Sequence, residues 1–399
     1  MKQKFTLPIL PTGHFIVDLA CLYFYFTNFP QSGLVKIISA ALLYNFLAFA
    51  LQAPIGYFFD KYPARRSTTI GILFLICGYA FCLFYHPITG LILCGFGNAF
   101  YHVGGSIGIA RTDKKGLKDS GIFVSAGALG VSMGTWLAGD LLPNNFFSET
   151  TFCILLLLIV LFVLQKAVTS PLRKNTTPFS AGTNAALLLL SLFAVLIRSL
   201  GGLFFPVLYK EVFSFTQVLF LKSPALYLFL TAMTSGIVAF LGKFLGGFLS
   251  CFCDTLIRKL FPKKQFDLRS CNYIFGTITL LVSMVFFSLG SKTTILQTLG
   301  NKPVICFLGV LCFHAAMPVT LFELYCILPD RPGFAMGLST VMLFLGYLPY
   351  AFVPLDGFPA SKILFILTLL AVACMVASLV IYRKALRTDK SHRTQGGGS

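Results

Sequence analysis

Twelve apolar runs follow one another along the chain, bounded by charged or Pro/Gly-containing turns. They fall at about 9–29, 34–58, 69–85, 88–110, 119–142, 147–167, 184–209, 224–249, 271–291, 303–327, 334–354 and 361–382. A helix rises about 1.5 Å per residue against a hydrocarbon core of about 30 Å, so about 20 apolar residues cross it. The runs are continuous, whereas the strands of a membrane barrel alternate. With no water in lipid to satisfy an open backbone, the remaining solution is the α-helix. The pattern predicts an all-α integral membrane protein of twelve transmembrane helices. A polar stretch at 166–183, rich in Ser, Thr, Asn and Pro, separates six runs from six. The expected organisation is a six-helix bundle over 1–167, a linker over 168–183, a second six-helix bundle over 184–382 and a tail over 383–399.

Composition agrees with the pattern. Of 399 residues, 57% are hydrophobic and only 11% charged, and mean hydropathy is +0.85. Soluble domains carry about 25% charged residues. The net charge of +18 raises the question of nucleic acid. Its cations instead follow the span ends, and no basic stripe on a soluble fold is present. Twenty-three cluster near one set of ends: Lys2, Lys4, the 61–66 loop, 111–118, 166–174, 258–269, Arg331 and 383–393. Six lie at the opposite ends and two, Arg198 and Lys243, fall inside runs. The excess of Lys and Arg on the cytoplasmic side of membrane proteins then places both termini in the cytoplasm of a cell inner or plasma membrane protein. The twelve cysteines sit mostly in apolar runs as small hydrophobes, and Cys251-Phe252-Cys253 lacks zinc-site spacing. No metal or cofactor is expected. The apolar start lacks a small-residue cleavage site and reads as the first helix; Gly396-Gly397-Gly398-Ser399 reads as an appended linker.

Charges inside a bilayer are expensive and face a cavity or a partner. His14 and Asp18 lie in the first run, four residues apart and so on one helix face. The pair offers either a proton-coupling site or a structural hydrogen bond. His102 is in the fourth run, Arg198 in the seventh, His314 and Glu323 in the tenth. Arg198 is a permanent cation suited to an anionic substrate group, or to an internal salt bridge with Asp18 or Glu323. Glu323 reads as a cavity residue or, near the inner end of its run, as a gate residue. Lys243 and Asp140 are weaker candidates, one able to snorkel to the inner surface and the other solvated. In the fifth run, Gly127, Gly130 and Gly134 allow close backbone approach, for tight packing or as a pivot.

Between the second and third runs stands Gly56-Tyr57-Phe58-Phe59-Asp60-Lys61-Tyr62-Pro63-Ala64-Arg65-Arg66. This short basic hairpin resembles the G-x-x-x-D-(R/K)-x-G-(R/K)-(R/K) signature of the major facilitator superfamily, with Pro63 where the signature has glycine. Gly246-Gly247-Phe248-Leu249-Ser250 echoes it in the second half, without the aspartate. Further stretches are similar to the fosmidomycin-resistance branch. They are Gly13-His14-Phe15-Ile16-Val17-Asp18, Gln52-Ala53-Pro54-Ile55-Gly56, Tyr101-His102-Val103-Gly104 and Pro318-Val319-Thr320 with Leu328-Pro329, Gly333 and Gly337. The departures are Val103 for a proline and the residue inserted between Gln52 and Pro54.

The resemblance implies two six-helix halves, a monomer, and a central cavity lined by helices 1, 4, 7 and 10. Those are the helices that hold His14, Asp18, His102, Arg198, His314 and Glu323. It carries over to His14, Asp18, His102, Asp60 and Arg111, and not to Arg198, His314 or Glu323. A cytoplasmic gate is expected from Gly56, Asp60, Arg65, Arg66 and Arg111. Asp60 would pair with Arg111 and face the positive N-terminus of helix 11 near Gly333.

No nucleophile–base motif, phosphate loop or metal cluster points to an enzyme. The partners expected are a small polar, anionic molecule, protons and the lipid bilayer. The function expected is secondary active transport by alternating access, as proton-coupled efflux. An importer or facilitator of an organic anion would have the same fold and cavity.

Overall fold

The computed structural model describes residues 5–29, 34–83, 86–112, 117–138, 144–170, 180–213, 224–262, 266–291, 302–353, 355 and 357–396. Asp140 and residues 171–179 of the expected linker lie outside them. Among the described residues the helices group into twelve successive segments. In the first half they are α1 (Thr6–Asn28), α2 (Leu34–Asn45, a π-helical turn Phe46–Ala50, then Gln52–Phe59), α3 (Ala64–Leu83), α4 (Pro87–Thr112), α5 (Leu117–Leu137) and α6 (Asn144–Leu164). The second half holds α7 (Ala181–Gly202 and Phe205–Phe213), α8 (Pro224–Leu260) and α9 (Leu268–Ser291). It continues with α10 (Lys302–Ala315 and Met317–Ile327), α11 (Pro332–Tyr347) and α12 (Ala360–Gly396). Among the described residues ten helices are long and apolar enough to cross a bilayer. The 20-residue α3 and 26-residue α4 pack along each other as the remaining pair. Helix α12 runs on to Gly396, so residues 383–396 extend that helix where a tail is expected.

Two spans break near their middles, and the sequence says why. Pro206 and Pro318 lack an N–H, and each ring crowds the carbonyl four residues earlier. Helix α7 accordingly stops at Gly202 and α10 at Ala315 before each resumes. In α2 the π turn displaces a carbonyl: Thr340 of α11 donates its hydroxyl to Phe49 O at 3.0 Å.

Two apolar cores form, one mostly within each half, the first also taking in Leu321, Leu324, Tyr325, Ala335 and Met336; α1 and α4 are the two largely buried spans of the first half. Helix α6 turns Phe152, Leu156, Leu157, Ile159, Val160, Val163 and Leu164 outward. Lipid tails, being as apolar as these side chains, make that face acceptable in a membrane. The halves meet along two seams, α5 against α8 and α2 against α11. Small residues make both close. A Cβ on Gly121 would stand 2.8 Å from Gly247 Cα, and one on Gly337 2.3 Å from Ala53 Cα.

Candidate functional site

One turn separates His14 from Asp18 on α1, and one turn separates Asn98 from His102 on α4. Each pair therefore points the same way, and the packing of α1 on α4 brings the two pairs together. Asp18 Oδ2 lies 3.2 Å from His14 Nε2 and Asp18 Oδ1 lies 3.5 Å from His102 Nε2. Asn98 Nδ2 donates to Asp18 Oδ1 at 2.9 Å. The imidazoles stand edge to face, centroids 4.3 Å apart. All four residues are buried, His14 at 5% and Asp18 at 7% exposure. Gly127 of α5 makes the room: a Cβ there would sit 2.4 Å from both Asp18 Oδ2 and His14 Nε2.

The protonation chemistry follows from the second nitrogens. His14 Nδ1 lies 2.7 Å from Phe123 O, and His102 Nδ1 lies 2.9 Å from Asn98 O. A carbonyl only accepts, so each Nδ1 carries hydrogen and each Nε2 is the atom left facing the carboxylate. A proton added at either Nε2 is at once paired with Asp18; a proton removed leaves a lone pair against the carboxylate. The three ligating atoms also lie within 4.8 Å of one another. Two imidazole nitrogens and a carboxylate are a donor set for divalent transition ions. Residue spacing did not show this grouping; tertiary packing brings it together from α1 and α4.

The second half presents cations. Arg198 on α7 donates from Nη1 to Thr320 Oγ1 at 3.0 Å, and its guanidinium lies 5.7 Å from the Phe313 ring centre. Arg198 Nε has no hydrogen-bond partner. Among the described residues no carboxylate pairs with Arg198 or Lys243, so neither salt bridge considered for Arg198 forms. His314 rests on Phe205, centroids 5.3 Å apart. Lys243, discounted above as a snorkelling residue, is partly buried and interacts electrostatically with Asp18, His102, Arg198 and His314. It is a second-half charge whose field reaches the Asp18 cluster of the first half. Its position one residue from Gly242, which packs tightly on Leu311 and His314, was the signal available in sequence. Glu323 is elsewhere: it accepts from Arg269 Nη2 at 2.7 Å and Tyr273 Oη at 2.6 Å, both on α9. Its partner Arg269 was counted in sequence only as a loop-end cation.

At the basic end of the bundle, Asp60 joins the halves. Helix α11 starts at Pro332, and no side chain of its own caps it. Its first N–H groups are orphan donors at the positive end of the dipole. Asp60 Oδ1 accepts from Gly333 N at 2.7 Å and Oδ2 from Phe334 N at 2.9 Å, so α2 caps α11 across the seam. Gly56 permits the approach: a Cβ there would stand 2.2 Å from Gly333 O. Arg111 binds main chain, donating to Tyr62 O at 2.9 Å and to Asp60 O, where a bond to the Asp60 carboxylate was expected. Ser106 adds a contact to Tyr325 Oη at 2.7 Å. Burial pushes the Asp60 carboxyl up to about 6, against the downward pull of the two N–H groups and of Arg111 and Arg331. Arg65 and Arg66 are exposed and take no part in this latch.

No protein-family model matches the sequence, and no curated protein matches it. Solved structures do. The FucP transporter in its outward conformation is 11% identical, with a TM-score of 0.62, over 96% of this chain and 99% of that one. The chain has the fold of the major facilitator superfamily. A second structure, a variant of the E. coli fucose:proton symporter FucP, is 11% identical with a TM-score of 0.58, covering 95% of this chain and 98% of that one. A bacterial homologue of the iron transporter ferroportin, outward-facing, is 14% identical with a TM-score of 0.58, covering 96% and 99%. In the major facilitator fold found here, the buried cluster and the cations sit on α1, α4, α7, α8 and α10, and the Asp60 latch closes the seam between halves at one end.

Proposed function

We propose that this chain is a secondary active transporter that moves a small polar, anionic molecule by alternating access, as proton-coupled efflux. One observation carries the reading. A buried His14–Asp18–His102 cluster able to exchange protons in one half stands opposite two cations without carboxylate partners, Arg198 and Lys243, in the other. Unpaired buried cations are costly, and an anion entering between the halves would relieve them. His314 interacts electrostatically with both cations and adds a third basic group to that side. With the basic end assigned to the cytoplasm by the positive-inside rule, the Asp60 latch is a cytoplasmic gate, and the protein works as a monomer.

Uptake is the second reading, favoured by the fucose:proton symporter that shares the fold. The test is proton movement across proteoliposomes holding the purified protein while small phosphonates and organic anions are added in turn. Efflux by antiport predicts that substrate placed on one side drives protons toward that side, and that Asp18→Asn abolishes the signal. Symport gives proton movement of the opposite sign. Substrate flux with no proton movement in the wild type would remove His14 and Asp18 from coupling.

A further inference from the structure

A cavity of about 570 Å³ lies away from the buried cluster, on the outer face of the first half at the basic end. Its wall is Phe58, Phe59, Tyr62, Ile70 and Phe162, and its rim carries Arg65, Arg66 and Lys166. The three cations come from different places in the chain: the first turn of α3 and the turn that ends α6. All three are exposed, and no carboxylate pairs with them among the described residues. Three other cations at this end are occupied. Arg111 holds two carbonyls, Arg258 holds Asp254 at 2.8 Å and Arg269 holds Glu323. Asp60, in the same hairpin, turns its carboxylate away to α11.

The rim is also held in place. The Arg66 guanidinium lies 4.9 Å from the Tyr62 ring centre, and Lys61 lies 4.6 Å from that of Phe58. Tyr62 is in turn fixed by Phe58 and Phe59, at 5.6 and 5.8 Å. Ser170 Oγ accepts from Ala64 N at 2.8 Å, tying the start of α3 to the segment after α6. The result is a preformed recess, apolar toward the middle of the membrane and cationic toward its surface. That polarity matches one end of a lipid, with phosphate between the cations and an acyl chain along Phe162 and Ile70. A zwitterionic headgroup would bring its own cation to the rim, and a soluble anion would leave the aromatic wall in contact with nothing of like polarity.

We infer that this recess is a binding site for one anionic phospholipid of the leaflet that meets the basic end. Basic segments bind such lipids with about a fivefold gain in affinity per Lys or Arg near the surface.

The experiment is native mass spectrometry of the full chain released from nanodiscs containing phosphatidylglycerol and phosphatidylcholine, which counts retained lipids. The wild type is expected to keep one more phosphatidylglycerol than the triple variant R65Q/R66Q/K166Q, whose affinity at this site falls roughly a hundredfold. A second triple variant, K259Q/K384Q/R387Q, removes the same charge from exposed positions at the same end and is expected to behave as wild type. Equal retention by all three proteins overturns the proposal. Equal loss in both variants also overturns it, because general surface charge then accounts for the binding. So does retention of phosphatidylcholine in place of phosphatidylglycerol. All six positions are exposed, so a variant that elutes as the folded wild type gives a valid count.

Discussion

Asp18 and Glu323 are both carboxylates buried within spans, 7% and 1% exposed, and they are held in opposite ways. Glu323 meets a permanent cation. Arg269 reaches it through Nε and Nη2, and Tyr273 adds a hydroxyl donor. No proton can leave that arrangement without stranding a charge, so it locks α10 to α9. Asp18 meets two imidazoles, groups able to take up or release a proton, and an amide that stays neutral. Two buried acids, one in each half, thus differ in whether their partners exchange protons. That difference, more than burial or charge, separates a structural pair from a coupling site.

The largest expected effect tests the exchanging side. Asp18→Asn keeps the shape and the bond to Asn98 but removes the charge that answers a proton at Nε2. Proton movement in proteoliposomes should vanish while thermal unfolding stays close to wild type. Glu323→Gln should do the reverse, and if it also abolished proton movement the contrast between the two acids would collapse.

Next comes the locked side. Arg269→Ala leaves Glu323 buried beside Tyr273 alone, and removing one partner of a buried ion pair costs about 3–5 kcal/mol. Thermal unfolding in detergent should report it. A double variant, Arg269→Ala with Glu323→Gln, should recover part of the loss, because the remaining group is then neutral.

A smaller effect belongs to the facing cations. Arg198→Ala should weaken substrate binding by about thirtyfold, on the order of 2 kcal/mol, and Arg198→Lys by less, because Lys retains charge without the planar fork. Lys243→Gln should weaken binding in the same direction. Negligible, equal effects at Arg198 would make it a structural partner of Thr320 and leave the cavity without its anion contact.

The smallest concerns the latch. Asp60→Ala should shift the protein toward opening at the basic end, read as faster thiol labelling of single cysteines placed along that seam. Its pH dependence has a defined sign. Closed, the carboxyl titrates at about 6; open and solvated, it returns to about 3.8. The closed state therefore takes up a proton more readily, and acidification through pH 6 favours closure, by about fourfold between pH 7 and 5.5. Labelling that rises on acidification would reverse that assignment.

The chain's hydrophobic pattern alone determined most of the architecture: twelve runs, all helical, six and six. The reason is that lipid leaves the backbone no partner but itself, so length and continuity of apolar sequence decide the element. It also marked which spans carry charge, and His14 and Asp18 as one face of α1, because a helix has a fixed period. What the sequence left open was decided by which faces meet. Whether Arg198 pairs with Asp18, with Glu323 or with neither depends on the rotation and depth of three helices, and local periodicity carries neither. Lys243 was legible only as a cation inside a run, and its role appears when Gly242 and Gly246 seat α8 against α10. Asp60 stood out in a basic hairpin, but its partners are two backbone N–H groups some 270 positions away, and a backbone donor has no letter in the sequence. Arg65 and Arg66, neighbours of Asp60 in the chain, face outward to the recess instead, because the hairpin at 60–63 reverses the chain before α3 begins.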